Sequence, residues 1–255
     1  MKNNITEVVF VLDRSGSMQG FEGDTVGGFN ATLEKQRAQE GTVFVTTVLF
    51  DTRMKYLHDR VSIQEVAPMT QKDFTVGGCT ALYDALGDTI RHITSIHKYV
   101  RPEDVPEHTV FVIMTDGMEN ASHTYSQAEV KQMINERTES AGWEFIFLAA
   151  NIDAVEAAGD IGIRSSHAAN FRQDKRGMGV SYRAVSNAIS AVRCETPLAE
   201  DCSWRMELDE DMKSDQRQKP QQKQRHMQRR EPDKKVLDEL DSIMENFAKQ
   251  RNVEK

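Results

Sequence analysis

The first 190 or so residues of this 255-residue chain predict an α/β fold: a mostly parallel central sheet with helices on both faces. Three observations lead there. Strand-like apolar runs and helical stripes alternate along the chain, several of the runs are apolar nearly throughout, as interior strands of a parallel sheet are, and two of the strongest end abruptly in Asp.

In chain order, the strand-like runs are "EVVFVLD" (7 to 13), "TVFVTTVLF" (42 to 50), "HTVFVIMTD" (108 to 116) and "WEFIFLAAN" (143 to 151). "MKYLHD" (54 to 59) and "AANF" (168 to 171) are weaker candidates. Between them, Leu82, Leu86, Ile90 and Ile93 recur at steps of 4, 4 and 3, which sets an apolar stripe on a helix from about residue 80 to 98. Val130, Met133 and Ile134 mark a second helix, behind Ser126 and Glu129 at capping-box spacing. Tyr182, Val185, Ile189 and Val192 mark the last one, and "GMG" (177 to 179) reads as its start. No internal repeat is visible.

Open α/β sheets build their sites where carboxyl ends of strands meet the following loops. Asp13 leads into "RSGS", Asp116 sits in "MTDGMEN", and "VGGCTALYDAL" places two glycines and a threonine at a helix start. Asp13, Ser15, Ser17, Thr80 and Asp116 are therefore expected to converge on one edge. All five offer oxygen, the donor a hard cation such as Mg²⁺ prefers, and Mg²⁺ is usually held by only one or two carboxylates with waters completing its shell. Gly16 keeps the first turn open, and Gly77 and Gly78 let the second loop approach. With few formal charges on the protein side, such an ion keeps net positive charge and can accept one more carboxylate.

"DRSGSM", "GGCTALYDAL" and "MTDG" resemble the three loops of the metal-ion-dependent adhesion site of von Willebrand factor A-type (VWA) domains, over about residues 5 to 192. The resemblance implies a three-layer, Rossmann-like doubly wound fold. It also implies that Ser15, Ser17 and Thr80 contact the metal, Mg²⁺ or Mn²⁺, through hydroxyls, with Asp13 and Asp116 close by, at least partly through water. Many family members read Gly-Gly-Thr where this chain has Gly-Cys-Thr, so Thr80 is aligned past Cys79. The wording as a whole looks like the small intracellular bacterial members more than secreted adhesins. Asp51 in "LFDT" matches none of the three loops and reads as a solvated strand end. Glu119 and Asn120, next to Asp116, suit either orienting waters around the metal or serving as ordinary loop polars, and the second reading is preferred.

Other chemistries find less support. No GxSxG elbow appears, no HExxH spacing occurs among the seven histidines, and neither GxxxxGK[ST] nor GxGxxG follows a strand. The three cysteines fall in no CxxC pattern, so neither a disulfide framework nor a zinc site is suggested. No apolar stretch approaches bilayer length, and Val8 to Leu12 is too short for a signal-peptide core; a cytoplasmic protein is expected.

Composition changes after the last helix. No glycine occurs beyond Gly179, half of the six prolines lie beyond residue 195, and Phe247 is the only aromatic residue after Trp204. The domain is expected to span 1–195, followed by a charged, flexible Gln/Lys/Arg-rich linker over 196–232. Val236, Leu237, Leu240, Ile243, Met244 and Phe247 share one face of an amphipathic helix over 233–250, suited to packing back, self-association or docking. The net charge of -8 argues against nucleic-acid binding by the folded part, which leaves the basic segment 213–230 as the one place for it.

The expected function is a divalent-metal-dependent protein-binding module, not an enzyme, that docks an Asp or Glu of a partner protein on the bound ion. Two alternatives stay open: a metal-dependent hydrolase or phosphatase at the same site, and a nucleic-acid-associated adaptor working through the basic segment.

Overall fold

A computed structural model of the chain describes residues 4–198 and 202–214. Six strands form one sheet: β1 (Ile5–Asp13), β2 (Thr42–Phe50), β3 (Met54–Ser62), β4 (His108–Thr115), β5 (Glu144–Ala149) and β6 (Ala168–Asn170). Their order is β3-β2-β1-β4-β5-β6. All neighbours run parallel except β2 and β3, whose antiparallel pairing makes β3 an edge strand. The mostly parallel sheet with helices on both faces that the sequence predicts is the architecture found.

Helices α1 (Glu22–Arg37), α2 (Leu82–Tyr99), α3 (Gln127–Ala141), α4 (Ala154–Asp160) and α5 (Lys175–Arg193) cover the two faces, and among the described residues 206–214 are helical as well. Side chains alternate across β1, so Val8, Phe10 and Leu12 meet Phe29 and Leu33 of α1 and Met178, Val185 and Ile189 of α5. Val9 and Val11 lie on the opposite face with Leu86 and Ile90 of α2, Val130 and Ile134 of α3 and Ala158 of α4. Two apolar layers thus sandwich the sheet. The capping box of α3 forms as its spacing suggests, with the Ser126 hydroxyl accepting from the Glu129 N–H and the Glu129 carboxylate accepting from the Ser126 N–H at 2.8 Å.

The domain boundary moves from its expected place. The first compact unit runs to Met212, and a second begins at Lys213. Leu198, Trp204 and Leu208 are buried in the same core as α5, so residues 196–198 and 202–212 include side chains that pack on the domain where the sequence predicts a linker. The Arg205 guanidinium donates to the carbonyls of Ser165 and Ala168, at 2.9 and 2.5 Å, and the Arg183 guanidinium pairs with Glu207. Three large apolar residues spaced along a charged stretch lack a strict period, yet they suffice to cover an exposed helix flank. The helix expected over 233–250 and nearly all of the basic segment lie outside the described residues.

Strand order reverses at β1, since β2 lies on one side of it and β4 on the other. The carboxyl ends of β1 and β4 therefore frame the crevice in which open α/β sheets place their ligands.

Candidate metal centre

Asp13 is the last residue of β1 and is 1% exposed. Its Oδ1 accepts from the Ser15 N–H at 2.7 Å, and its Oδ2 accepts from the Thr115 hydroxyl of β4 at 2.7 Å. Burial pushes the carboxyl above its ordinary value of 3.8, against the pull of the Thr115 and Ser15 hydrogen bonds, and Asp116 nearby adds to the push. A buried anion so placed is a costly group until a cation or further donors face it.

The chain beyond Asp13 makes one short 3-10 turn over Gly16–Met18 that brings the two serine hydroxyls within 3.0 Å of each other. The Ser17 hydroxyl donates to Asp116 Oδ1 at 2.7 Å, which joins the loop after β1 to the loop after β4. Asp116 is buried directly beyond the end of β4.

The third loop is held against the first by main chain. The Gly16 N–H donates to the Gly78 carbonyl at 3.1 Å and the Gly77 N–H to the Arg14 carbonyl at 2.9 Å. Gly78 has φ of +72°, where a side chain would be strained, and a Cβ there would lie 2.7 Å from Thr52 Oγ1. Thr80 is buried at the start of α2, and its N–H and C=O both bond Asn120, to the side-chain Oδ1 and from the backbone N–H, each at 3.0 Å. Cys79 beside it is exposed. A Cβ built on Gly117 would lie 3.8 Å from Thr80 Oγ1 and 3.9 Å from Ser17 Oγ, so these hydroxyls border one open face of the Gly117 turn. All five sequence-selected residues thus gather at one end of the sheet.

Two sequence readings change. Asp51 is not a solvated strand end: its carboxylate pairs with Arg14 at 3.0 Å and its carbonyl accepts from the Ala81 N–H at 3.1 Å. The charge of Arg14, carried on the loop between Asp13 and Ser15, is met by this partner. Glu119 and Asn120 do more than fill a loop, since Glu119 accepts from the Tyr83 N–H at 3.0 Å and from the Ala121 and Ser122 N–H groups, locking the turn after Asp116 to the first turn of α2.

Three further residues complete the site. Thr115 grips Asp13, as above. The Gln173 amide, in the connection from β6 to α5, donates to Asp116 Oδ2 and to the Ser17 carbonyl at 3.0 Å. The Asn151 amide donates to Gln173 Oε1 at 2.6 Å and to the Asp116 carbonyl at 3.3 Å. Thr115 stands in the "TDG" run itself, whereas Asn151 and Gln173 reach the site only through the fold.

The donor set suits a hard cation. Two carboxylates and three hydroxyls, with no sulfur and no imidazole among them, match the chemistry of Mg²⁺ or Mn²⁺ rather than of a softer metal.

A family profile described as "VWA domain containing CoxE-like protein" matches residues 2–173. The chain belongs to this family. Among solved structures, the VWA fold is shared with the vWF domain of the type V pili tip protein Mfa5 from Porphyromonas gingivalis, with a TM-score of 0.52 at 12% identity over 73% of this chain and 95% of that one. The manganese-loaded TRAP protein of Plasmodium vivax is similar at a TM-score of 0.50 and 15% identity, over 70% and 72% of the two chains. A von Willebrand factor type A protein from Catenulispora acidiphila aligns at a TM-score of 0.48 and 13% identity over 71% of this chain, which spans only 42% of that longer protein. No curated protein sequence matches the chain. Among the described residues of this VWA protein, no helix is long and apolar enough to cross a membrane.

Proposed function

We propose that this VWA protein binds a divalent cation, Mg²⁺ or Mn²⁺, at Asp13, Ser15, Ser17, Thr80 and Asp116, and that the bound ion docks an Asp or Glu of a partner protein. One observation carries the reading: three separate loops bring five oxygen-bearing side chains, only two of them carboxylates, to the crevice between β1 and β4. The manganese in the Plasmodium TRAP structure, which shares the fold, is consistent with that choice of metal. When bound, the ion supplies a Lewis-acidic centre whose charge is matched by Asp13 and Asp116, and five protein oxygens leave a position of its six-fold shell for an outside carboxylate.

The chain's own residues hold that arrangement ready. Thr115 and the Ser15 N–H fix both oxygens of Asp13, and the glycine-lined contact of the first and third loops fixes the serine turn against the start of α2. The reading is of ligation without turnover. The groups hydrogen-bonded to Asp13 and Asp116 are hydroxyls, amides and a backbone N–H, which orient the two carboxylates as ligands. A cytoplasmic setting, in which thiols such as those of Cys79, Cys194 and Cys202 stay reduced, belongs to the same proposal.

The test is affinity capture from lysate of the native organism with wild type in Mg²⁺, wild type in EDTA, and Asp13→Ala in Mg²⁺. A protein retained only in the first condition supports docking at the ion. The same proteins in all three would place binding elsewhere on the chain and remove the proposal.

A further inference from the structure

Asp116 divides its two oxygens between different tasks. Oδ1 accepts from Ser17, on the side of the three hydroxyls, while Oδ2 accepts from the Gln173 amide. The same amide also donates to the Ser17 carbonyl at 3.0 Å, so both of its protons are used on groups of the site. Asn151 fixes which end of the amide faces Asp116. Its own amide donates to Gln173 Oε1 at 2.6 Å, which leaves the nitrogen for the carboxylate, and it bonds the Asp116 carbonyl as well.

Gln173 stands on a stiff support. Its neighbours Arg172 and Asp174 pair with each other, Asp174 caps α5 by accepting from the Gly177 N–H at 2.8 Å, and Gly177 lies so close to Arg172 that a Cβ would meet the Arg172 carbonyl oxygen at 2.1 Å. Beyond this turn, the Arg176 guanidinium pairs with Asp211 at 2.8 Å. Asn151 itself has φ of +60°, a conformation Asn adopts more readily than most residues.

Given the metal-binding reading above, on which this rests, we infer that Gln173 is a specificity-determining residue: by holding Asp116 Oδ2 turned to its amide it presents that carboxylate to the hydroxyl side through Oδ1, and so favours a small cation over Ca²⁺. The physical basis lies in how the two kinds of ion use carboxylates. Ca²⁺ takes six to eight oxygens and readily accepts both oxygens of one carboxylate, whereas Mg²⁺ demands six in near-ideal octahedral geometry and is satisfied by single oxygens and water. A carboxylate with one oxygen already committed to an oriented amide suits the second ion. Such outer partners of metal ligands commonly change affinity by one to two orders of magnitude.

The experiment is calorimetric titration of the full chain with Mg²⁺, Mn²⁺ and Ca²⁺, for wild type, Gln173→Met, Gln173→Ala and Asn151→Ala, with circular dichroism to check the fold. Gln173→Met keeps the side chain's length and removes its donors, so it separates hydrogen bonding from packing. The expected result is a rise of about tenfold in the Ca²⁺ to Mg²⁺ affinity ratio in both Gln173 variants, with a smaller rise in Asn151→Ala. A ratio unchanged in Gln173→Met and Gln173→Ala, with cation binding retained, overturns the inference and leaves the metal-binding reading in place. If wild type itself binds no divalent cation, both fall together.

Discussion

The Thr115 hydroxyl donates to Asp13 Oδ2 at 2.7 Å, across the boundary between the adjacent parallel strands β4 and β1. This bond ties the two strand ends that carry the acidic residues, and it satisfies an oxygen of a carboxylate with almost no access to water. Thr115→Val keeps the shape and deletes the donor. It is expected to destabilise the protein by about 1–3 kcal/mol, read by urea unfolding, because the Asp13 oxygen stays buried without its partner.

Gly78 answers to a backbone requirement. With φ of +72° and Thr52 Oγ1 at 2.7 Å from any added Cβ, Gly78→Ala is expected to cost more than about 1 kcal/mol and to loosen the loop that carries Thr80. Denaturant unfolding reads the first effect. Gly77 has nothing within 4 Å of its Cβ position, so Gly77→Ala is the matched control and is expected to unfold nearly as wild type does.

Trp204 tests the extended boundary. It is 2% exposed and packed with Leu198 and Leu208 in the α5 core, so Trp204→Ala is expected to lose roughly 3–5 kcal/mol. A chain truncated after residue 195 is expected to unfold at a lower denaturant concentration than full-length protein. Equal midpoints would mean that this segment contributes nothing to the domain.

Asp84, in the first turn of α2, receives three backbone N–H groups, from His123, Thr124 and Tyr125, all at 2.9 Å. Burial alone pushes its carboxyl up, but the three bonds together outweigh it and hold the group below its ordinary value of 3.8. A depressed folded pKa means stability that is fully present above the unfolded value and is lost as pH falls through the folded one. Asp84→Asn is therefore expected to destabilise at neutral pH by about 1–3 kcal/mol and to lose part of the wild type's decline below about pH 4. Urea midpoints across that range check both effects.

The strands were legible because a sheet covered on both faces needs nearly continuous apolar runs, and all six runs proposed from the sequence are strands. Helix α1 was not legible. Its core-facing side includes Thr25, Thr32 and Gln36, and Gln36 is satisfied by α5, its amide donating to the Ser186 carbonyl at 2.9 Å and to the Ser190 hydroxyl at 3.0 Å. With only Phe29 and Leu33 apolar among its buried residues, α1 carries too short an apolar stripe to read. Helix α4 has only seven residues, too few for a period to stand out.

The five oxygen donors were legible because each lies in a short local pattern at the end of a strand or the start of a helix. Gln173 and Asn151 follow β6 and β5, far from those patterns in sequence, and only the ordering of strands beside β4 brings them to Asp116. The Arg14–Asp51 pair was hidden for a similar reason: it depends on β1 and β2 ending side by side.

The most direct measurement is thermal and calorimetric titration of the full chain with Mg²⁺ and Mn²⁺, for wild type, Asp13→Ala and Ser15→Ala. Saturable binding by wild type is expected, with a stability gain of about 2.7 kcal/mol at one hundred times the dissociation constant. Both variants are expected to keep the fold and lose the gain. Unchanged affinity in Asp13→Ala would contradict the assignment of the ion to these five oxygens.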